Sequence, residues 1–150
     1  MFCCQFFAAT IGINRSMTDI HPDLAHKFQS WPANAAQYAS EIRALFIQSA
    51  QDFDARDLEE SLKWGEPAWR PRKGGTTLRA SWSTKAPNEL GLFVDCKSDL
   101  CVRMQSDFPD DFRFVAPRAM YLPLAQPVPT PAITHLARIA FRYKRVIPVH

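Results

Sequence analysis

The spacing of apolar and polar residues predicts helices toward both ends of the chain. Across residues 33–51 apolar side chains recur at steps of three and four, the period of one face of an amphipathic helix. The last helix is marked at its start by Thr130, a candidate cap, and by Pro131, which suits the first helical position because its missing N–H would be unpaired there. Between them, "KSDLCVRMQSDF" predicts a short helix capped by Ser98.

The residues between the first helix and the first clear strand carry a weaker pattern. Apolar residues four apart, with Asp54 as a candidate cap, predict a short helix over residues 55–63. Gly65 and Pro67 would end this helix, because the residue before a proline resists helical geometry. The chain would then turn toward the sheet, and we expect Trp64 to be buried at that corner.

Four stretches have the pattern of a strand. Residues 76–82 alternate between apolar and polar, as in a half-buried strand, whereas residues 90–94 are almost wholly apolar, as in an inner strand. The segments "FRF" at 112–114 and "AMYLPL" at 119–124 predict two more, and Pro123 confines the latter to a sheet edge or a strand end. Helices on both sides of a run of strands predict an α+β sandwich with a mainly antiparallel sheet.

Length and composition indicate one globular domain. A chain of 150 residues, 47% hydrophobic and 22% charged, can bury a single core without help from metal or disulfides. The apolar start "MFCCQFFAATIGI" is shorter than the ~20 residues that span a bilayer, and no positive residue precedes it, so no membrane partner is expected. We therefore predict a tail at residues 1–16, extended, disordered or a mis-assigned start, and one domain over 17–150.

Charge is distributed unevenly although the net charge is only +3. Six acidic residues lie between Gln51 and Glu66, and none follows Asp111, where arginines and a lysine accumulate. Two interpretations stay open: solvated helix faces, or regions that steer partners of opposite sign.

The four cysteines do not match a secreted disulfide framework. Cys3 and Cys4 are adjacent, and the spacing of Cys96 and Cys101 fits no such pattern. We predict reduced thiols in a cytoplasmic protein, with Cys96 and Cys101 buried and inert.

The order of the motifs resembles a known family. "LKWGEPAW" at 62–69 is followed by "LGLFVDCKSDL" at 90–100, "FRF" at 112–114 and "RAMYLPL" at 118–124, and then by a terminal helix. This order is similar to that of the YdhG-like family. The resemblance implies a compact α+β domain in which a five- or six-stranded antiparallel sheet packs against helices. It also implies a link to iron handling, with a frataxin-like fold and exposed carboxylates as iron ligands.

Three carboxylates are the candidate metal ligands: Asp54, Asp57 and Glu60. Carboxylates are hard oxygen ligands that suit Fe³⁺, Mg²⁺, Ca²⁺ or Mn²⁺. If residues 55–63 are helical, Asp57 and Glu60 face the same way and Asp54 lies near the helix start. The alternative is that acids in a first helical turn only complement the helix dipole. Iron is thus the one candidate cofactor, by resemblance.

A ligand cleft is the second candidate site. Its predicted members are Lys63, Trp64, Trp69, Arg79, Trp82 and Arg118. The tryptophans, with Phe93, would line an apolar pocket, and the cations would hold an anionic group. The alternative places at least two of the tryptophans in the core, because each aromatic ring buries a large area.

Motifs for other chemistry are missing from the sequence. It contains no nucleophile elbow and no H-E-x-x-H. The segment "RKGGTT" at 72–77 is not a P-loop, because its lysine precedes its glycines, and it predicts a hairpin turn instead. Arg70, Arg72 and Lys73 beside Trp69 and Trp82 would suit nucleic acid, but the small net charge and the lack of a signature argue against that partner.

These observations favour a non-enzymatic cytosolic domain that binds a small molecule or a metal ion. Two alternatives remain: a small-molecule sensor or enzyme that uses the tryptophan-lined cleft, and a protein-interaction module that uses the acidic segment and the basic tail. The sequence does not determine the ligand, any reaction or the oligomeric state.

Overall fold

The computed structural model describes residues 20–52 and 58–143. The predicted tail at 1–16 lies outside these residues, as do the candidate ligands Asp54 and Asp57. In chain order the elements are α1 (Pro22–Gln29), α2 (Ala33–Asp52), β1 (Leu58–Lys63), β2 (Glu66–Pro71), β3 (Leu78–Ser81), β4 (Glu89–Phe93), α3 (Leu100–Asp107), β5 (Arg113–Val115), β6 (Ala119–Pro123) and α4 (Thr130–Phe141).

The six strands form one antiparallel sheet in the order β1-β2-β3-β4-β6-β5. The prediction of an α+β fold, with an antiparallel sheet of five to six strands packed against N- and C-terminal helices, is confirmed. Pro123 is the last residue of β6, which is an inner strand. Of the two predicted positions for Pro123, a sheet edge or a strand end, the structure shows the strand end. Within the described residues no helix is long and apolar enough to cross a bilayer.

One face of the sheet packs against the helices and forms the core. Trp69, Leu78, Leu92 and Met120 point to this face and belong to one cluster with the buried side chains of the four described helices. Because side chains alternate along a strand, the neighbours of these core residues point to the opposite, outer face. The outer face therefore carries side chains that do not need to be apolar.

The prediction of a helix over residues 55–63 is wrong for its described part. Residues Leu58–Lys63 form β1, which pairs with β2 from Leu58 opposite Pro71 to Lys63 opposite Glu66. The sequence pattern was ambiguous because Leu58 and Leu62, four residues apart, lie on one face of a helix and equally on one face of a strand. Pairing with β2 in a hairpin selects the strand.

Trp64 and Gly65 form the two-residue turn between β1 and β2. Their φ angles are 56° and 77°, and positive φ at both central residues is the signature of a type I′ hairpin turn. The expectation that Trp64 is buried is also wrong, because its side chain is 90% exposed.

The loop between β2 and β3 is attached to the end of α4. The N–H of Gly75 donates to the carbonyl of Tyr143 at 3.0 Å, and the N–H of Thr76 donates to the carbonyl of Ala140 at 2.9 Å. Gly75 has a φ of 65°, and a Cβ built there would lie 2.6 Å from the carbonyl oxygen of Phe141. Only glycine fits this approach, so the predicted turn through "GG" also joins two elements.

Candidate functional site

A groove of about 810 Å³ lies on the outer face of the sheet. One end is formed by the turn at Trp64, and the other by the loop before β3 and by Tyr143. Residues 94–96, which follow β4, line the groove at the same end as this loop, because Phe93 at the end of β4 pairs with Arg79 near the start of β3. Its cationic lining residues are Lys63, Arg70, Arg72, Arg79 and Arg118, and we call this site the basic groove.

Strand alternation explains why three of these cations share one face. Arg70 follows the buried Trp69 in β2, and Arg79 lies between the buried residues Leu78 and Ala80 in β3. Lys63 pairs with Glu66 at the end of the β1–β2 ladder. Core packing of the apolar neighbours therefore turns Arg70 and Arg79 outward. Lys63 shares their face because its pairing partner Glu66 precedes the buried Pro67 in β2.

The other two cations come from the ends of elements. Arg72 follows β2 directly, and Arg118 directly precedes β6. The position of Arg118 is secured by its backbone, because its carbonyl accepts a hydrogen bond of 2.9 Å from the N–H of Val94 at the end of β4.

The described lining of the basic groove carries more positive than negative charge. None of its five cations forms a salt bridge within the part of the chain that the structure describes, whereas Arg43, Arg103 and Arg113 all pair with carboxylates. Asp95 is the acidic residue among the described lining residues, and its Oδ1 accepts the N–H of Lys97 at 2.9 Å. Several like charges that line one groove without salt bridges create a positive potential that attracts anions.

The structure separates the three tryptophans that the sequence placed together. Trp64 lines the basic groove, but Trp69 is fully buried and contacts Phe46 edge to face in the core. Trp82 packs against the core, and its indole N–H donates to the carbonyl of Pro87 at 3.0 Å. Of these three tryptophans, Trp69 is therefore in the core, Trp82 packs against the core, and Trp64 is exposed.

Of the predicted ligand residues, four therefore meet at one site. Lys63, Trp64, Arg79 and Arg118 line the basic groove, while Trp69, Trp82 and Phe93 do not. The site is consequently a cationic groove with one exposed indole, where the sequence suggested an apolar, tryptophan-lined pocket.

Glu60 is the candidate metal ligand within the described residues, and both oxygens of its carboxylate accept hydrogen bonds from the protein. Oε2 accepts from Nε of Arg43 and, at 2.9 Å, from the indole N–H of Trp69. Oε1 accepts from Nη2 of Arg43 at 3.0 Å and from the backbone N–H of His21 at 3.4 Å. These four bonds fill the four lone pairs of the carboxylate, so none is left for a metal ion.

Asp54 and Asp57 lie outside the described residues, so their role as metal ligands stays a prediction. Across residues 20–52 and 58–143, no three His, Cys, Asp or Glu side chains come together in a way that could hold a metal ion.

A half-buried carboxyl group lies next to the basic groove. Glu66 is opposite Lys63 in the ladder, and its Oε1 is buried without a hydrogen-bond partner among the described residues. Burial raises the pKa of Glu66, although the Ser81 hydroxyl and the charges of Lys27 and Arg79 act in the opposite direction.

The two described cysteines differ, so the prediction that both are buried is wrong for Cys96. Cys96 is exposed and lines the basic groove. Cys101 is buried on α3, where burial raises the pKa of its thiol, and it contacts the carbonyl of Ala119. The sequence does contain a signal that separates them, because Cys96 lies between the charged residues Asp95 and Lys97 whereas Cys101 lies between Leu100 and Val102.

Sequence reasoning did not assign Arg70, Arg72, Asp95 and Tyr143 to a small-ligand site. Arg70 and Arg72 alternate with Trp69 and Pro71, which would have indicated a strand with an outward cationic edge. That signal was hidden because residues 55–63 were assigned to a helix and β2 was not predicted. Asp95 and Tyr143 join the groove only through tertiary contacts, and no local signal marks them.

No protein-family model matches the chain, and no curated protein or solved structure is significantly similar to it.

Proposed function

We propose that this protein is a non-enzymatic binding protein that holds an anionic, phosphate-bearing small molecule in the basic groove. The observation that carries the proposal is the convergence of Lys63, Arg70, Arg72, Arg79 and Arg118 on one groove without salt bridges among the described residues. Guanidinium groups recognise phosphate oxygens through paired, charge-assisted hydrogen bonds, which is why arginine is the preferred residue at such sites.

The size of the groove supports a small molecule. A volume of about 810 Å³ lies within the range of ~300–1,000 Å³ that is typical of ligand pockets.

Calorimetric titration with sodium tripolyphosphate tests this proposal. We expect binding that weakens as salt is added, because the interaction is between exposed charges. Arg79→Gln should lower the affinity about tenfold or more, since a hydrogen bond to a charged group contributes about 1.5–3 kcal/mol. Arg103→Gln makes the same change on α3, outside the groove, and should stay within about twofold of wild type.

The proposal fails if tripolyphosphate does not bind. It also fails if Arg79→Gln and Arg103→Gln weaken binding equally, because the attraction would then come from net charge and not from the groove.

We also propose that the chain is a YdhG-like protein that works in the cytoplasm. A six-stranded antiparallel sheet packed against helices is the fold that the resemblance implies, which supports membership, although a shared fold does not establish a shared function. Free thiols at Cys96 and Cys101 suit a reducing compartment.

Iron handling, which the same resemblance implies, rests on Asp54 and Asp57. Titration with Fe²⁺ and Fe³⁺ while the amide NMR signals of residues 52–60 are monitored tests it directly. Shifts confined to those signals support iron binding, and unchanged signals reject it. No observation on the described residues favours iron over the anionic ligand, so the basic groove remains our principal proposal.

A further inference from the structure

Trp64 occupies a backbone conformation that disfavours its side chain. Its φ of 56° is left-handed, which costs an L-residue with a bulky side chain roughly 1–2 kcal/mol. The first central position of a type I′ turn is normally asparagine, aspartate or glycine. The indole is 90% exposed, so burial in the protein does not offset this strain. Residues that are strained in this way, and whose strain is not offset by contacts in the fold, are found mostly at functional sites.

The location of this indole connects it to the anion site. Trp64 lines the basic groove beside Lys63, and Arg79 lies opposite Ala68 in the sheet. Ala68 is two residues from Glu66 at the start of β2, so Arg79 lies about 7 Å along the strand from the turn. A single nucleotide spans such a distance between its base and its phosphates.

We infer that the ligand of the basic groove is a nucleoside phosphate whose base stacks on Trp64 while its phosphates contact Arg79 and the neighbouring arginines. This inference rests on the proposed function, because it assigns the phosphate to the same cations. The inference adds a nucleobase, which stacks on Trp64, to the phosphate group of the ligand. Indole and nucleobase rings stack with a favourable energy of about 1–3 kcal/mol per base, and any base has a face that can stack.

The arrangement favours a single nucleotide over a single-stranded nucleic acid. Nonspecific single-strand sites stack successive bases on several aromatic side chains. In the described groove, Trp64 has a fully accessible ring, and Tyr143, the other aromatic lining residue, is half-buried at the far end. Trp69 and Trp82 are held in or against the core.

Competitive calorimetry with matched probes tests the inference. The probes are ATP, GTP, CTP, UTP and tripolyphosphate, which carries the same phosphate chain without a base, together with an eight-residue oligothymidylate. We expect at least one nucleotide to bind about fivefold or more tighter than tripolyphosphate. Trp64→Ala should abolish that advantage and leave tripolyphosphate affinity within about twofold, while Trp64→Phe should retain part of it.

The outcomes separate the inference from the proposed function. If tripolyphosphate binds as tightly as every nucleotide, the inference is wrong and the anion site stands. If Trp64→Ala keeps the full nucleotide advantage, stacking on Trp64 is wrong. If the oligothymidylate binds more tightly than all four nucleotides, the site takes a nucleic acid instead. If none of the probes binds, both the inference and the proposed function fail.

Discussion

Trp64 forms part of the β1–β2 turn and Glu66 follows that turn directly, and both residues adopt states that an isolated residue would avoid. Trp64 has a positive φ and an exposed indole, while Glu66 keeps a carboxyl oxygen buried without a hydrogen bond among the described residues. Each of these states lowers the free energy of unfolding. Both residues lie at or beside the basic groove. Their substitution should therefore raise stability, which is the opposite of what most substitutions do.

We expect Trp64→Asn to stabilise the protein by about 1 kcal/mol, because asparagine accepts the left-handed conformation and forms the preferred Asn-Gly pair of a type I′ turn. Urea denaturation measures this change.

Gly65→Ala is the opposite test at the same turn, because it introduces a side chain where the left-handed conformation favours glycine. A Cβ there meets no atom within 4 Å, so the strain at φ 77° alone should destabilise the fold by about 1 kcal/mol. A less stable Trp64→Asn protein would show that the indole supports the turn.

Glu66→Gln should raise the melting temperature at neutral pH. Because burial raises the pKa of Glu66 above its unfolded value of 4.5, the folded state prefers the protonated carboxyl. This preference favours folding fully below pH 4.5 and is lost as pH rises through the folded pKa. The gain from Glu66→Gln should thus be larger at pH 7 than at pH 4 in thermal unfolding. Glu59→Gln makes the same chemical change at an exposed position of β1 and serves as control. An equal gain at both pH values would contradict the argument.

At the scale of elements, Glu60 joins three parts of the fold. It lies on β1, pairs with Arg43 on α2 and accepts the indole N–H of Trp69 on β2. The Arg43 side chain is 3% exposed and that of Glu60 is 11% exposed, so the ion pair is shielded from water. A buried pair that is fully hydrogen-bonded is sensitive to removal of one partner, because the remaining charge keeps its desolvation cost.

Glu60→Ala should therefore destabilise the protein by about 3 kcal/mol or more. Glu59→Ala removes a carboxylate from the neighbouring exposed position of the same strand and should stay within about 0.5 kcal/mol of wild type. Denaturant unfolding of the two variants compares them directly. Similar losses in both would mean that Glu60 contributes only as a surface charge.

At the scale of the whole molecule, the contact between the β2–β3 loop and the end of α4 connects the core helices to the rim of the basic groove. Gly75, Thr76 and Tyr143 all line that groove, and the hydrogen bonds of the loop end on Ala140 and Tyr143. The shape of the groove at this end consequently depends on the packing of α4.

A pair of glycine substitutions isolates this contact. Gly74 and Gly75 have nearly the same φ, but a Cβ at Gly74 meets no atom within 4 Å whereas one at Gly75 overlaps Phe141 and Pro71. Gly75→Ala should therefore cost about 2 kcal/mol more than Gly74→Ala in denaturant unfolding. It should also weaken tripolyphosphate binding. Equal losses would show that the loop separates from α4 without penalty.

Much of the fold could be predicted because its signals are local. The stripe of α2, the Thr130-Pro131 start of α4 and the alternation of β3 depend on neighbours within a few residues, and each agrees with the structure to within a few positions. The hairpin of β1 and β2 could not be predicted, because Leu58 and Leu62 fit both periods and the left-handed Trp64 contradicts ordinary turn preferences.

The sequence by itself determined the α+β class, the order of its clear elements and the presence of enough arginine for an anion site. Only the tertiary structure decided that Trp69 and Glu60 belong to the interior while Trp64, Arg70 and Arg79 face outward together. The physical reason is strand register: one residue of slip exchanges the two faces of a strand, and the register is set by pairing with the neighbouring strands and by which face packs against the helices. Side chains that are far apart in sequence, such as Lys63 and Arg118, therefore meet only after the sheet has formed.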